Sequence, residues 1–345
     1  MQQLNYLSKR QLAWHEVEAP KLRADTSVLV RPTSVSTCDM DGVVIHGMLK
    51  LRGPVPLGHE GIGVVTEIGD AVRKVLPGDR VVIPWKIACG TCKHCGRGHS
   101  AQCATVPPED AYGWGPRAPY WGGFLSDSIE VPWADFMLAK VPEGTNEILA
   151  CGVGDNITDG WRAVGPGLAK RPGGTVLVVG GVPPGSIGLY AAGIAVSLGA
   201  AKVVYADHDL VRLQMAQKMG ATPLDLRGTT LDKLQGSFDI TVDACGNASL
   251  LTTILKLTGR GGLCTSTAAI VYRGADVLMP AYEMYRNSVT FKTGWVHTQV
   301  QMNEPLALIT SGAFDPSPVN TAVVSWDQAI EALTQPFTKV IVKRA

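Results

Sequence analysis

The chain has no run approaching the roughly 20 consecutive apolar residues that a helical membrane span requires, and residues 1–10 contain no apolar core of signal-peptide length. A cytoplasmic protein with no membrane partner is therefore expected. A charge excess of either sign is missing too, since 31 lysines and arginines face 30 aspartates and glutamates. So close a balance creates no long-range field for nucleic acid or an anionic surface, which favours a small, nearly neutral partner. Tandem repeats and low-complexity linkers are also absent, so the domains should pack closely rather than hang on a tether.

At 345 residues and 46% hydrophobic content, the chain exceeds one comfortable core, and about two domains are expected. The first part carries short alternating apolar runs at 28–32, 61–68, 79–84 and 127–131, broken by glycine and proline, which predicts a β-rich, barrel-like domain. From about Trp161 the texture changes. Apolar runs at 175–180, 202–207, 238–244, 262–266 and 288–293 read as buried parallel strands, joined by helices at 186–198, 210–219 and 249–257. That alternation predicts an α/β fold with a doubly wound sheet. Helices at 299–310 and 326–333 and a strand at 338–343 should return to the first domain, which gives boundaries of 1–160 with 296–345 and of 161–295.

Of the eight cysteines, Cys38, Cys151, Cys245 and Cys264 are scattered, which is no disulfide framework. The other four, Cys89, Cys92, Cys95 and Cys103, crowd into a lobe at about 85–105. Three at intervals of three and a fourth eight further on can converge on one tetrahedral ion, and in a chain without a leader this spacing favours zinc over disulfides. Four thiolates leave no open position, so that zinc is expected to be structural.

A second motif follows the run at 175–180. Gly180, Gly181, Gly185, Ser186, Ile187 and Gly188 open straight into an apolar helix. Strand, glycine turn and helix together make a pyrophosphate site, in which Gly185 lets the backbone approach the anion, Gly188 lets helix and strand pack, and the helix N-terminus supplies free N–H groups. Nineteen residues after Gly188, Asp207 ends the next strand, where a carboxylate can accept hydrogen bonds from a ribose diol. The same carboxylate repels a 2′-phosphate, so NAD is expected rather than NADP, with Arg212 or His208 able to soften the preference. The turn is lengthened by Val182, Pro183 and Pro184, which leaves open whether Gly180 or Gly181 faces the pyrophosphate.

Two upstream pieces, Cys38-Asp39-Met40-Asp41 and Gly58-His59-Glu60-Gly61, supply a thiol, an imidazole and carboxylates in what reads as glycine-broken β territory. Each is weak alone, a lone cysteine being more often a small core residue. Followed by the cysteine lobe and the nucleotide turn, they resemble the zinc-dependent medium-chain dehydrogenase/reductase family, the alcohol dehydrogenases in particular, over essentially the whole chain. The resemblance implies a GroES-like β-barrel catalytic domain beside a Rossmann domain, and two zincs per chain, one structural and one catalytic. It implies Cys38 and His59 as catalytic-zinc ligands, Glu60 as an exchangeable or outer ligand, and Asp41 orienting His59 from behind. A third ligand is implied in the segment of Cys151 and Asp155; Asp155 is the choice, because the run from Asp155 to Trp161 resembles members that use aspartate, with Cys151 as the alternate. Hydride transfer between an alcohol, or a carbonyl in reverse, and NAD is the implied reaction, in a homodimer or homotetramer. Polyol, amino-alcohol and formaldehyde-type activities, or a binding protein without turnover, are the alternatives. One departure stands out: the position that carries serine or threonine in the family's proton relay is Met40, which has no proton to give. His46 is the nearby candidate carrier. Trp85, Trp114, Tyr120 and Trp121 are candidates for an apolar pocket wall.

Overall fold

Alternating apolar runs in the N-terminal part become antiparallel strands, as their period of two dictates. The computed structural model describes residues 1–49, 51–115, 117–181, 183–268 and 276–344. Contacts divide it into one unit of Met1–Thr158, Val296–Ser311 and Asn320–Ala345 and another of Asp159–Trp295 and Gly312–Val319.

In the first unit β1 (Val28–Ser36), β2 (Glu60–Ile68), β3 (Arg80–Ile83) and β4 (Ala139–Lys140) pair antiparallel in that order, and Ile129–Val131 joins β1 near its start. The chain end returns here: Val340–Lys343 pairs antiparallel with the end of β1, and Ala322–Ser325 lies parallel beside it. Val28, Val30, Ile62, Val81 and Ile83 form its fully buried core. A hairpin of Gln2–Ser8 and Gln11–Glu16 joins Val55–Pro56 in a separate sheet. It is not among the runs read from the sequence: only Leu4 and Tyr6 mark its apolar face, and the polar Gln3 and Asn5 that alternate with them are buried as well, with the Asn5 amide donating to the Gln3 carbonyl at 3.1 Å.

The Cys38–Asp41 stretch is not β territory. It starts helix α1 (Asp39–Ile45), with Cys38 as N-cap; the Asp41 carboxylate accepts from the Cys38 N–H at 2.8 Å in a capping box. Cysteine stands where that motif usually has serine or threonine, which is why the start signal is muted.

Helix α2 (Asn156–Lys170) leads into the second unit. There β5 (Thr175–Val179), β6 (Lys202–Asp207), β7 (Thr222–Asp225), β8 (Phe238–Asp243), β9 (Thr258–Ser266) and β10 (Thr290–Lys292) form one parallel sheet in the order β7-β6-β5-β8-β9-β10. This is the doubly wound order, which reverses direction beside the first strand. Helix α3 (Ser186–Ser197) follows β5, α4 (Leu210–Lys218) follows β6, and α5 (Ala248–Leu257) follows β8. Nine of the twelve residues of α3 are buried, as an apolar helix without a polar face requires.

The tail departs from expectation. The helix expected at 299–310 divides at Met302 into Thr298–Gln301 and Asn303–Thr310, since Pro305 cannot donate to the Gln301 carbonyl. The one expected at 326–333 begins as a 3-10 turn, Trp326–Gln328, before Ala329–Thr334. The family resemblance also makes 275–279 a candidate strand for extending the sheet across a dimer; Ala275 lies outside the described residues and 276–279 carry no strand.

Gly167 of α2 lies where a Cβ would come 2.7 Å from Ile240 Cδ1 on β8. Gly167→Ala should therefore overpack the second unit at a cost of about 1–3 kcal/mol. Adding Ile240→Val, which removes Cδ1, should recover about 0.5–1 kcal/mol relative to the sum of the single effects. Denaturant unfolding of the four proteins measures that coupling, and strict additivity would refute the contact.

Candidate metal centres and dinucleotide turn

Two groups of side chains converge in the first unit. Cys89, Cys92, Cys95 and Cys103 place their sulfurs within 4.8 Å of one another. Two 3-10 turns, Cys95–Arg97 and Ser100–Gln102, fold the lobe so that backbone N–H groups face sulfur. Cys92 N donates to Cys89 Sγ at 3.3 Å, Cys89 N to Cys103 Sγ at 3.4 Å and Ala104 N to Cys92 Sγ at 3.4 Å, while the Thr105 hydroxyl reaches Cys89 Sγ at 3.0 Å. Donors of this kind favour thiolates. The N–H groups of Cys95 and Ala104 pull the Cys92 thiol down to about 5, whereas burial and the neighbouring sulfurs push Cys95 up to about 12. Protons alone leave four such groups unevenly charged. A divalent ion that prefers soft ligands suits all four at once, and the donor set fits zinc.

The second group is Cys38, His59 and Asp155, with one donor atom from each within 4.8 Å of the others. Cys38 comes from the N-cap of α1, His59 immediately precedes β2, and Asp155 immediately precedes α2. All three are at least nine-tenths buried. Burial pushes the Cys38 thiol well above its usual range, with Asp155 and Glu60 adding to the effect. Burial works against a charged His59, yet Asp41 and Asp155 outweigh it and raise the imidazole to about 9. Anionic groups thus crowd a small buried volume that demands positive charge, and a thiol, an imidazole and a carboxylate are three of the donor types of a catalytic zinc site, whose fourth position is left to substrate or water.

The surroundings sort the other residues singled out above. Asp41 lies behind His59, its Oδ1 3.6 Å from Nδ1, beyond hydrogen-bond distance. Glu60 does not join the group. Its Oε1 accepts from Ser36 Oγ at 2.8 Å and from Lys339 Nζ, and its Oε2 accepts from the Asn156 N–H at 2.9 Å. Cys151 is fully buried and lies outside the group as well. His46 caps the far end of α1, about 12 Å along the helix from Cys38 by the rise per residue. There its ring lies tilted against that of Phe337, and it accepts from Arg10 Nε at 3.4 Å. Of the aromatics, Trp85 and Trp114 pack with Ala111 and Val296, whereas Tyr120 and Trp121 lie under the Arg23 guanidinium.

Sequence reasoning missed Lys339 and Asn156. Lys339 is wholly buried, and its ammonium reaches the Thr37 carbonyl, Glu60 and, at 2.9 Å, Asn156 Oδ1. Its only sequence signal is a lysine at the edge of an apolar terminal strand, which ordinarily means an exposed residue.

In the second unit Gly185 takes φ +84° as the N-cap of α3, a conformation that glycine supplies without strain. Gly188 faces Ala244. Gly181 lies over Cys245; at Gly180 a Cβ would run into the Tyr205 hydroxyl and the Asp207 carboxylate. Val182 lies outside the described residues. Asp207 is buried and already engaged: Arg212 Nε and Nη2 donate to it at 2.7 and 2.8 Å, Tyr205 OH at 2.8 Å and Asp209 N at 3.0 Å. Burial opposes its charge, but the Arg212 guanidinium holds the carboxyl below its usual range. The motif's acceptor is thus half of an ion pair, and Asp209 Oδ2 lies 3.6 Å from the same guanidinium.

Residues 24–143 match the alcohol dehydrogenase GroES-like domain and residues 186–311 the zinc-binding dehydrogenase domain. A probable zinc-binding alcohol dehydrogenase of Mycobacterium tuberculosis is 31% identical over 317 residues, which cover 90% of this chain and 78% of that protein. A glutathione-independent formaldehyde dehydrogenase of Pseudomonas aeruginosa is 33% identical over 327 residues, with 84% and 80% covered. The structure of an alcohol dehydrogenase from Thermus sp. ATN1 superimposes with a TM-score of 0.89 at 26% identity over the full length of both chains. Similarity of this extent, in sequence and in fold, makes the chain a member of the zinc-dependent medium-chain dehydrogenase/reductase family, an alcohol dehydrogenase-like, zinc-binding oxidoreductase.

Proposed function

We propose that the chain transfers a hydride between a small alcohol, or the corresponding carbonyl, and NAD. The convergence of Cys38, His59 and Asp155 carries this reading, since no scaffolding need explains three buried donors of different types at one point. These three would hold a catalytic zinc, and Cys89, Cys92, Cys95 and Cys103 a structural one. Zinc in the first position supplies a Lewis acid that polarises an alcohol or carbonyl oxygen. Asp41 sets the charge behind His59, and the Asn156 N–H, with Lys339, keeps Glu60 away from the ligand group. Met40, half-buried next to Asp39 and Asp41 at the start of α1, carries a thioether that has no proton to give. A proton route through His46 finds no support, given its position at the other end of α1. On this reading the first unit is the catalytic domain and the second binds the dinucleotide, its pyrophosphate at the start of α3 and its adenosine ribose at Asp207 and Arg212.

The Pseudomonas relative favours a formaldehyde-type substrate as the second reading. Exposed Leu278, Tyr282 and Tyr285 support a homo-oligomer, since a monomer seldom leaves such side chains in water. All eight cysteines are free thiols, and among the described residues no helix is long and apolar enough to cross a membrane; both suit a reducing cytoplasm.

Zinc content measured together with NAD-coupled alcohol oxidation tests the proposal. Two zincs per chain are expected, with mild chelation removing one of them and the activity together. Asp155→Ala should lose the same zinc, keep that of the cysteine lobe and lower turnover by about three orders of magnitude, or about 4 kcal/mol. Full activity in Asp155→Ala together with loss in Cys151→Ala would transfer the role to Cys151. Asp207→Ala frees Arg212 for a 2′-phosphate, so the ratio of NADP to NAD affinity should rise by about tenfold, or 1.4 kcal/mol. Equal weakening of both in titrations would remove Asp207 from ribose recognition.

A further inference from the structure

Beside the group of Cys38, His59 and Asp155 lies Asn156, a residue type that rarely binds zinc. It opens α2 and is 1% exposed. Its side-chain Nδ2 donates to Cys38 Sγ at 3.2 Å and to Asp155 Oδ2 at 3.1 Å. Its Oδ1 accepts from Asp39 N at 3.2 Å and from Lys339 Nζ at 2.9 Å. Its backbone N–H donates to Glu60 Oε2 at 2.9 Å.

These contacts leave the amide one orientation. A backbone N–H and an ammonium, both donors, meet one end; a sulfur and a carboxylate oxygen, both acceptors, meet the other. Turned over, the amide would set N–H against N–H and ammonium, and oxygen against two anionic groups. The consequence lies in the ligand set. Cys38 and Asp155 approach from different elements and, once ionised, repel each other. The two amide hydrogens lie against both and place partial positive charge where the repulsion is greatest. Lys339 anchors the opposite end of the same amide and at the same time holds Glu60 back.

We propose that Asn156 is the positioning residue of this centre: its amide, oriented by Lys339 and the Asp39 N–H, aims Cys38 Sγ and Asp155 Oδ2 at the point that His59 also faces, and so sets how tightly the metal is kept. The inference rests on Cys38, His59 and Asp155 being the ligands. Outer partners of metal ligands typically contribute about 10–100-fold in metal affinity.

Asn156→Leu keeps the size and removes every side-chain hydrogen bond; Asn156→Asp keeps the shape but turns an acceptor toward the two anions. Zinc release to a chromogenic chelator should remain slow for the lobe zinc in both variants, and become about 10–100-fold faster for the other. In cobalt-substituted protein, the near-ultraviolet thiolate-to-metal absorption should shift, because Cys38 loses its N–H donor. A residue that only starts a helix would lower the melting temperature without moving that band. Unchanged release and an unchanged band in the variants overturn the proposal. If the unaltered protein holds the lobe zinc alone, the ligand reading fails and takes this inference with it; if it holds two and the variants keep both equally well, the inference alone fails. Should Asn156→Leu fail to fold, Asn156→Asp carries the test, since it occupies the same space.

Discussion

Negative charge confined to a dry volume is the constraint on which the rest of the first unit depends. Cys38, Asp41, Glu60 and Asp155 are all buried, with His59 and Lys339 as the cationic partners among them. Burial disfavours the charged forms: it lifts the Cys38 thiol and the Asp41 carboxyl, and raises Glu60 to about 7 despite Lys339. A buried ion pair is a poor source of net stability, because desolvation consumes most of its attraction. The Glu60–Lys339 pair is better understood as specifying an arrangement. It joins the start of β2 to the approach of the last strand, and its ammonium reaches across to Asn156.

The cysteine lobe obeys the same electrostatics with a different set of partners. Its sulfurs are met by backbone N–H groups, which favour thiolates, but hydrogen bonds alone do not balance four of them. Four such sulfurs close together are a donor set that suits a divalent ion. The Rossmann-type unit shows a third solution, with the Asp207 carboxylate neutralised in place by Arg212 and braced by Tyr205. There the partner is a side chain from the next helix, so the pair forms without any ligand.

Much of this was legible from residue order. The parallel sheet could be read because strands buried on both faces need nearly unbroken apolar runs, and β5 and β6 have them. The lobe could be read because its four ligands are close in sequence. The hairpin Gln2–Ser8 with Gln11–Glu16 was harder to read, since its first strand has a short apolar face of Leu4 and Tyr6 and buries the polar Gln3 and Asn5 on the other; so was α1, whose cap is a cysteine. His46 looked close to Cys38 by residue count, and a helix carried it away.

What the sequence by itself determined is whatever depends on neighbours along the chain: the strand and helix periods, the cysteine spacing, and the glycine turn that ends β5 and opens α3. What only the tertiary structure decided is which distant groups share one dielectric environment. Lys339, 279 residues from Glu60, and Asn156, 118 from Cys38, become partners because the last strand returns to β1 and α2 starts beside the ligands. A charge is costly to bury alone and tolerable when paired, so the identity of each partner is settled by packing in three dimensions, and no local pattern records it.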